Sequence, residues 1–407
     1  MRIGILIVVA VIVLCFAQGA IATDHGFIFG TITTKSGDHY TGRIRWDRNE
    51  GFWDDIIDAT KTDDDRYGSH HRHGARISIL GIKIDGGDWS DESSSSELQF
   101  GHIKSIEPRS SGRAIARLKN GEKVRFEDSG TDIGSGNRGI QVDTGGGEEV
   151  ADLDWGDIEQ IDFKPEPDDY RPANAGIERL YGRVKTEGGD DLLGFIAWDV
   201  DEIYSTDILD GEVKDRTRKI EFGTIESIEK VSSNACLVRR KNGPEFRMTG
   251  TNDVDSGNRG IAVTVPGMGR ARVDWDEFQS VIFLPIPAGL QPTFDQFHAG
   301  KRLHGTVINR DGKSFAGDIA WDNDERFGWE HLNGEQNGIN YDVEFANIAK
   351  IERHSGRAAR VTLRNGTVIR LRGSNDVDDE NKGIFVETAR DETEEVDWDE
   401  FEKITLE

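Results

Sequence analysis

GTVINRDGKSFAGDIAWD, Gly305 to Asp322, reads as strand, tight turn, strand, closing on Trp-Asp. The same frame recurs without a gap as GTITTKSGDHYTGRIRWD at Gly30 to Asp47, and as GRVKTEGGDDLLGFIAWD at Gly182 to Asp199. In all three the Trp lies sixteen residues after the first Gly. Recurrence at a fixed frame is the mark of a repeat protein.

Outward from this frame, each copy leads to the same closing signature: Phe100-x-x-Ile103-x-x-Ile106, Phe222-x-x-Ile225-x-x-Ile228 and Phe345-x-x-Ile348-x-x-Ile351. A hairpin is expected next, with Asn120-Gly121, Asn242-Gly243 and Asn365-Gly366 at its tip. A polar loop opens at Asp132, Asp253 or Asp376 and ends in Gly-Ile. A second closing signature starts at Trp155, Trp275 or Trp398. The two halves of a repeat share one frame. Ten residues separate turn Gly312 from Asp322, and ten separate Gly366 from Asp376; 23 and 22 more lead to Phe345 and Trp398. The expected fold is therefore all-β: tandem small β-barrel modules in three repeats, each made of two related halves.

The repeats span residues 23–164, 174–284 and 299–407, with Pro-bearing linkers at 165–173 and 285–298. Linkers of that composition suggest looser contact between repeats than within them. Between Trp46 and Ile106 the first repeat is thirty residues longer than its sisters, through an insertion at about 61–96. The insertion contains Asp63 to Asp65, the cluster His70, His71 and His73, and a strand-like stretch over 77–84. In the middle of the leading halves, Asp210-Gly211 and Asn333-Gly334 read as hairpin turns.

Residues 1–22 carry Arg2, an apolar run from Ile3 to Ala17 and a small-x-small site at Ala20 to Ala22. This pattern predicts a secretory signal peptide of bacterial type, hence a periplasmic or secreted protein with no membrane span after cleavage. Only Cys236 then remains, so no internal disulfide can form. The chain has 50 basic and 76 acidic residues, a net charge of −26. Such a charge repels phosphate backbones and argues against nucleic acid as a partner. Hydrophobic residues make up 35% and glycines number 48, which suits several small β units better than one large core.

Arg310-Asp311-Gly312, Gly317 and Trp321-Asp322 together resemble the first motif of Sm-like or SH3-like small barrels. An acidic residue precedes Gly, a second Gly follows five later, and an aromatic-Asp pair ends the strand. The last interval is one residue shorter than in the Sm pattern, and the second Sm motif is not apparent. The resemblance covers single modules and implies a barrel; RNA binding is not carried over to an exported, acidic chain.

Each candidate functional residue has a structural reading beside it. The repeated Asp47, Asp199 and Asp322, with Asp132, Asp253 and Asp376 in the sister halves, fit turn duty, as do Gly121, Gly243 and Gly366. Asp253 with Asp255, and Asp376 with Asp378 and Glu380, offer alternate oxygens for a hard cation, with calcium as the cofactor that such a set would take. Asn137-Arg138-Gly139, Asn258-Arg259-Gly260 and Asn381-Lys382-Gly383 fit a positive-φ entry to a strand, with the basic residue pairing the loop Asp. Trp155, Trp275 and Trp398 align with core phenylalanines. Trp46, Trp198 and Trp321 align with polar residues, so they either line the contact within a pair or half-face a groove that could stack on a sugar. The histidine cluster fits either a solvated loop or a transition-metal site. No nucleophile elbow, phosphate loop or Cys-His pairing is present. The expectation is an exported, non-enzymatic interaction or scaffold protein of the envelope, with a protein or glycan partner. A cation-dependent binding protein is the alternative, and a carbohydrate-active enzyme ranks last.

Overall fold

The computed structural model describes residues 25–61, 78–79, 82–83, 94–127, 130–147, 150–388 and 392–407. The leader at 1–22, Asp63 to Asp65 and the histidines His70, His71 and His73 lie outside these residues. The described chain is all-β, with helical structure only as short 3-10 turns. Among the described residues no helix is long and apolar enough to cross a membrane.

The third repeat shows the plan most plainly. Its leading half has strands His304–Asn309, Ser314–Ala320, His331–Gln336, Ile339–Glu344 and Ile348–Ser355. Its trailing half has Ala358–Leu363, Val368–Leu371, Ile384–Thr388, Thr393–Val396 and Phe401–Leu406. The halves are not separate: they exchange strands. The first leading strand lies between the second leading strand and the fifth trailing one. The second leading strand pairs with the third trailing strand, not with its own third. Reciprocally, the first trailing strand pairs with the fifth leading one, and the second trailing strand reaches the third leading one through the bridge Glu335–Arg372. The two fifth strands run side by side at the centre. The first and second repeats follow the same pairing. A half is thus complete only with two strands of its sister. The ladders form open orders, with no closing ladder among the described residues.

The two framing glycines are needed where backbones cross. A Cβ on Gly305 would lie 2.3 Å from the Thr405 carbonyl oxygen, and one on Gly317 would lie 1.9 Å from that of Glu387. The same overlap holds at Gly30, Gly42, Gly182 and Gly194, so these positions mark the strand exchange. The closing signature opens with a 3-10 turn that sinks its aromatic residue, as at Phe100, Phe222 and Phe345, and then becomes a strand. Its apolar residues fall on the buried side.

Two expectations are corrected. Asp210-Gly211 and Asn333-Gly334 lie inside strands Ile208–Glu212 and His331–Gln336, not at turns. A Cβ on Gly334 would lie 2.8 Å from Leu371 Cβ, so glycine fits this strand closely, and one on Gly211 would displace the Met248 methyl, 2.7 Å away. Nor are the linkers loose. Phe294 in the second linker packs at a tilt against Trp53 of the first repeat, ring centroids 4.5 Å apart. In the first linker, Glu166 forms a two-pronged pair with Arg43. The insertion contributes a short hairpin, Ser78–Ile79 against Ile82–Lys83, between the long strands Ile56–Lys61 and Ser94–Gln99.

The repeats join in different ways. The fourth trailing strand of the second repeat, Gly269–Val273, pairs with the fourth leading strand of the third, Ile339–Glu344, over five residues. The apolar cores of these two repeats are continuous. The first and second repeats meet through side chains. Arg179 bonds Asp54 at 2.6 Å and Asp55 at 3.1 Å, Arg45 grips Asp207 with two bonds, and Phe27, Phe52, Ile203 and Tyr204 form an apolar plug. Where all three repeats meet, Arg270 faces Asp58 and Glu97 of the first and Asp342 of the third.

Candidate functional site

Every repeat contains the same clasp. Trp46, Trp198 and Trp321 have no exposed surface. Each indole N–H donates to the backbone oxygen of the trailing-half aspartate: Trp46 to Asp132 at 2.9 Å, Trp198 to Asp253 at 2.9 Å and Trp321 to Asp376 at 3.0 Å. Each indole also meets its sister Trp edge to face, with centroids 6.0 to 6.3 Å apart. These residues line the contact within the pair. A groove face for a sugar is corrected, because a fully covered ring offers none. Deleting such a ring costs about 3–5 kcal/mol.

The aspartates act reciprocally. Asp47, Asp199 and Asp322 accept the backbone N–H of Arg138, Arg259 and Lys382 at the head of the trailing half's third strand. Asp132, Asp253 and Asp376 accept the backbone N–H of Asp58, Asp210 and Asn333 in the leading half's third strand, at 2.6 to 2.7 Å. Each carboxylate therefore locks the strand that belongs to the other half. The leading aspartates also sit at positive φ, 44 to 48°. Asp tolerates this region because its short polar side chain can bond locally.

The second oxygen of the leading aspartate takes a side-chain donor: Thr131, Asn252 or Asn375. In the first two repeats an arginine supplies positive charge. Arg138 lies 3.3 Å from Asp47, while Arg259 lies 2.8 Å from Asp199 and 2.6 Å from Asp201. In the third repeat Lys382 stands at that place, and burial pushes the Asp322 carboxyl up to about 7. Burial likewise drives Asp376 well above the carboxylate range.

A third carboxylate completes the clasp: Glu50, Glu202 or Glu325, four residues after the Trp. Its backbone pairs with the Trp in a small bridge. Oε2 of each of these glutamates is buried without a hydrogen-bond partner. Burial raises all three, Glu202 to about 10. Sequence reading missed them, although the signal is there as Trp-Asp-x-x-Glu in all three copies.

Oxygens of Asp322, Glu325 and Asp376 lie within 4.8 Å of one another, as do those of Asp199, Asp201 and Glu202. The expected cation sets are thus regrouped. Asp376 joins Asp322 and Glu325 instead of Asp378 and Glu380. Asp378 accepts the Glu380 backbone N–H, Asp255 accepts that of Gly257, and Glu380 is exposed. These are turn contacts. At the hairpin tips Gly121 and Gly366 have φ of 94° and 88°, whereas Gly243 stays outside the positive region. Cys236 is buried, and its thiol is pushed up to about 12.

No family model, curated protein or solved structure matches this chain.

Proposed function

We propose that the protein is an exported, non-enzymatic β-repeat platform of the cell envelope, binding its partner through surfaces displayed by three interlocked repeats. The observation that supports this is the internal use of the repeated residues. The Trp, both Asp and the framing Gly of every copy face the sister half, where they hold exchanged strands. What recurs in the sequence serves assembly of the fold. What differs between copies, notably the 61–96 insertion and the outer strand edges, is left for recognition.

A second reading has its own observation. Asp322, Glu325 and Asp376 form a hard-oxygen cluster with one buried carboxylate oxygen lacking a donor, a set that suits calcium. Thermal unfolding of residues 23–407 with calcium and with chelator separates the two. A platform melts at the same temperature in both. A ligand held only by the folded state raises the midpoint by several degrees, and Asp322→Asn then abolishes the rise. That result would replace the first reading.

A further inference from the structure

The third repeat gathers three arginines on the outer face of the hairpin that turns at Asn365-Gly366. Arg360 on strand Ala358–Leu363 stands directly opposite Arg370 on strand Val368–Leu371. Arg372 follows two residues on, hence on the same face, and pairs with Glu335 at 3.0 Å. All three are exposed. Arg370 donates its backbone N–H to Gln336 Oε1 at 2.7 Å, but neither its guanidinium nor that of Arg360 has a partner among the described residues. Like charges directly across a ladder oppose pairing. The sister hairpins avoid this: Ile115 faces Arg125 and Leu237 faces Arg247. Glu127 and Thr249 hold the place of Arg372. A chain of net charge −26 thus concentrates positive charge here, against the local interest of the ladder.

The same arginines border a groove. It has a volume of about 420 Å³ and is lined by Gln336, Asn337, Arg370 and Arg372. Gln336 and Asn337 stand at the turn between strands His331–Gln336 and Ile339–Glu344. Gln336 uses its side-chain oxygen on the Arg370 backbone, which leaves its amide N–H groups as donors. Glu335 beside the groove is held by Arg372 and by the Gly338 N–H, and these contacts keep its carboxyl below the usual carboxylate range. Three guanidiniums against one carboxylate leave two positive charges. A guanidinium fork matches the oxygens of a phosphate group.

We infer that this groove binds a phosphomonoester, a doubly charged oxyanion carried on a larger molecule, with Arg360 and Arg370 on the oxyanion and Arg372 beside them. The site lies apart from the Trp-Asp clasps and goes beyond the platform reading by assigning the chemistry of one ligand. A sugar phosphate and a phosphatidic acid headgroup present the same group, and the test separates these sources.

The test is calorimetric titration with glucose 6-phosphate, and flotation with vesicles of phosphatidic acid in phosphatidylcholine. Glucose and pure phosphatidylcholine vesicles are the controls. Chelator is present throughout, so a calcium effect on the clasps, which bears on the platform reading, does not enter. Binding of glucose 6-phosphate but not glucose is expected. Binding to the phosphatidic acid vesicles alone would support the site and assign it to a headgroup. R360Q/R370Q should weaken binding by about tenfold or more, because charge-assisted hydrogen bonds are the strong ones. Without ligand this variant should melt no lower than the wild type, since it relieves a repulsion; R360Q alone serves if the pair fails to fold. R117Q/K123Q, which removes two basic residues that face each other in the first repeat, should leave binding unchanged. No binding in either arm, full binding by R360Q/R370Q, or an equal loss in R117Q/K123Q would each overturn the inference, the last by showing attraction to charge in general.

Discussion

The junction between repeats one and two and the junction between repeats two and three solve one problem by opposite means. The first is made of side chains: Arg179 and Arg45 reach across to carboxylates, and aromatic rings fill the space between. Arg179 also lies over Phe52 and Phe195, with its guanidinium carbon 4.3 and 4.0 Å from the ring centres. The second is made of backbone, a five-residue ladder joining two sheets into one. A side-chain junction depends on which residues stand at a few points. A ladder depends on exposed N–H and C=O groups and tolerates most residues, provided nothing blocks the approach. One lesson is that a ladder fails when bulk blocks the approach of two backbones, whereas a side-chain lock fails when one charge is removed.

Breaking the side-chain junction should have the largest effect. Arg179 is 3% exposed, and its removal strands Asp54 and Asp55 without their cation. Arg179→Ala should cost about 4 kcal/mol. Denaturant unfolding would measure it, and a loss under about 1 kcal/mol would show that the aromatic plug carries this junction.

The ladder should answer to bulk instead of charge. Gly269 has φ of 142°, and a Cβ there would lie 2.1 Å from the Asp342 carbonyl oxygen. Gly269→Ala should destabilise by about 2 kcal/mol through forced displacement of the ladder. Amide exchange should rise in 339–344 and stay unchanged around Arg179. Equal loosening of both junctions would mean that the two are one cooperative unit.

Acidity sharpens the comparison at the point where all three repeats meet. Burial, reinforced by the nearby Asp342 and opposed by Arg270, pushes the Glu97 carboxyl up to about 8. A carboxyl raised in the folded state binds protons there that the unfolded chain does not hold. Its contribution is complete below the unfolded value near 4.5 and is lost as pH rises through about 8. Lowering the pH from about 8 to 6 should therefore stabilise the protein by roughly 1 kcal/mol through this group, discounted for its partial exposure. Glu97→Gln should flatten that part of the slope in melting curves at the two pH values. A variant with the wild-type slope would remove Glu97 from the account.

The smallest effect lies away from both junctions and serves as their control. Val200 occupies φ of 59° in the Trp-Asp turn, where the third repeat has Asn323 at 72°. A β-branched residue is strained there, so Val200→Asn should stabilise by about 1 kcal/mol without altering exchange at either junction. Unchanged stability would mean that Val200 packing offsets the strain.

Local physics accounts for what was legible in the sequence. Alternation of apolar residues marked the strands. Gly312 and its equivalents marked turns because only glycine sits easily at positive φ. The spacing shared by the halves of a repeat revealed the duplication, and Trp155, Trp275 and Trp398 were assigned to the core, where they lie. The sequence alone therefore determined the number of repeats, their halves, most strands and the aromatic core.

Only the tertiary structure decided which half each strand completes. Backbone hydrogen bonds are the same for any sequence, so two related halves look alike whether they pair within themselves or with each other. That choice gathers Asp322, Glu325 and Asp376 from distant positions, and it decides for Trp321 between contact within the pair and a half-open groove, in favour of the covered contact. It also turns Gly334 from a turn residue into the gap into which Leu371 packs. Side-chain identity is written along the chain, but burial and pairing are properties of what the rest of the chain brings alongside.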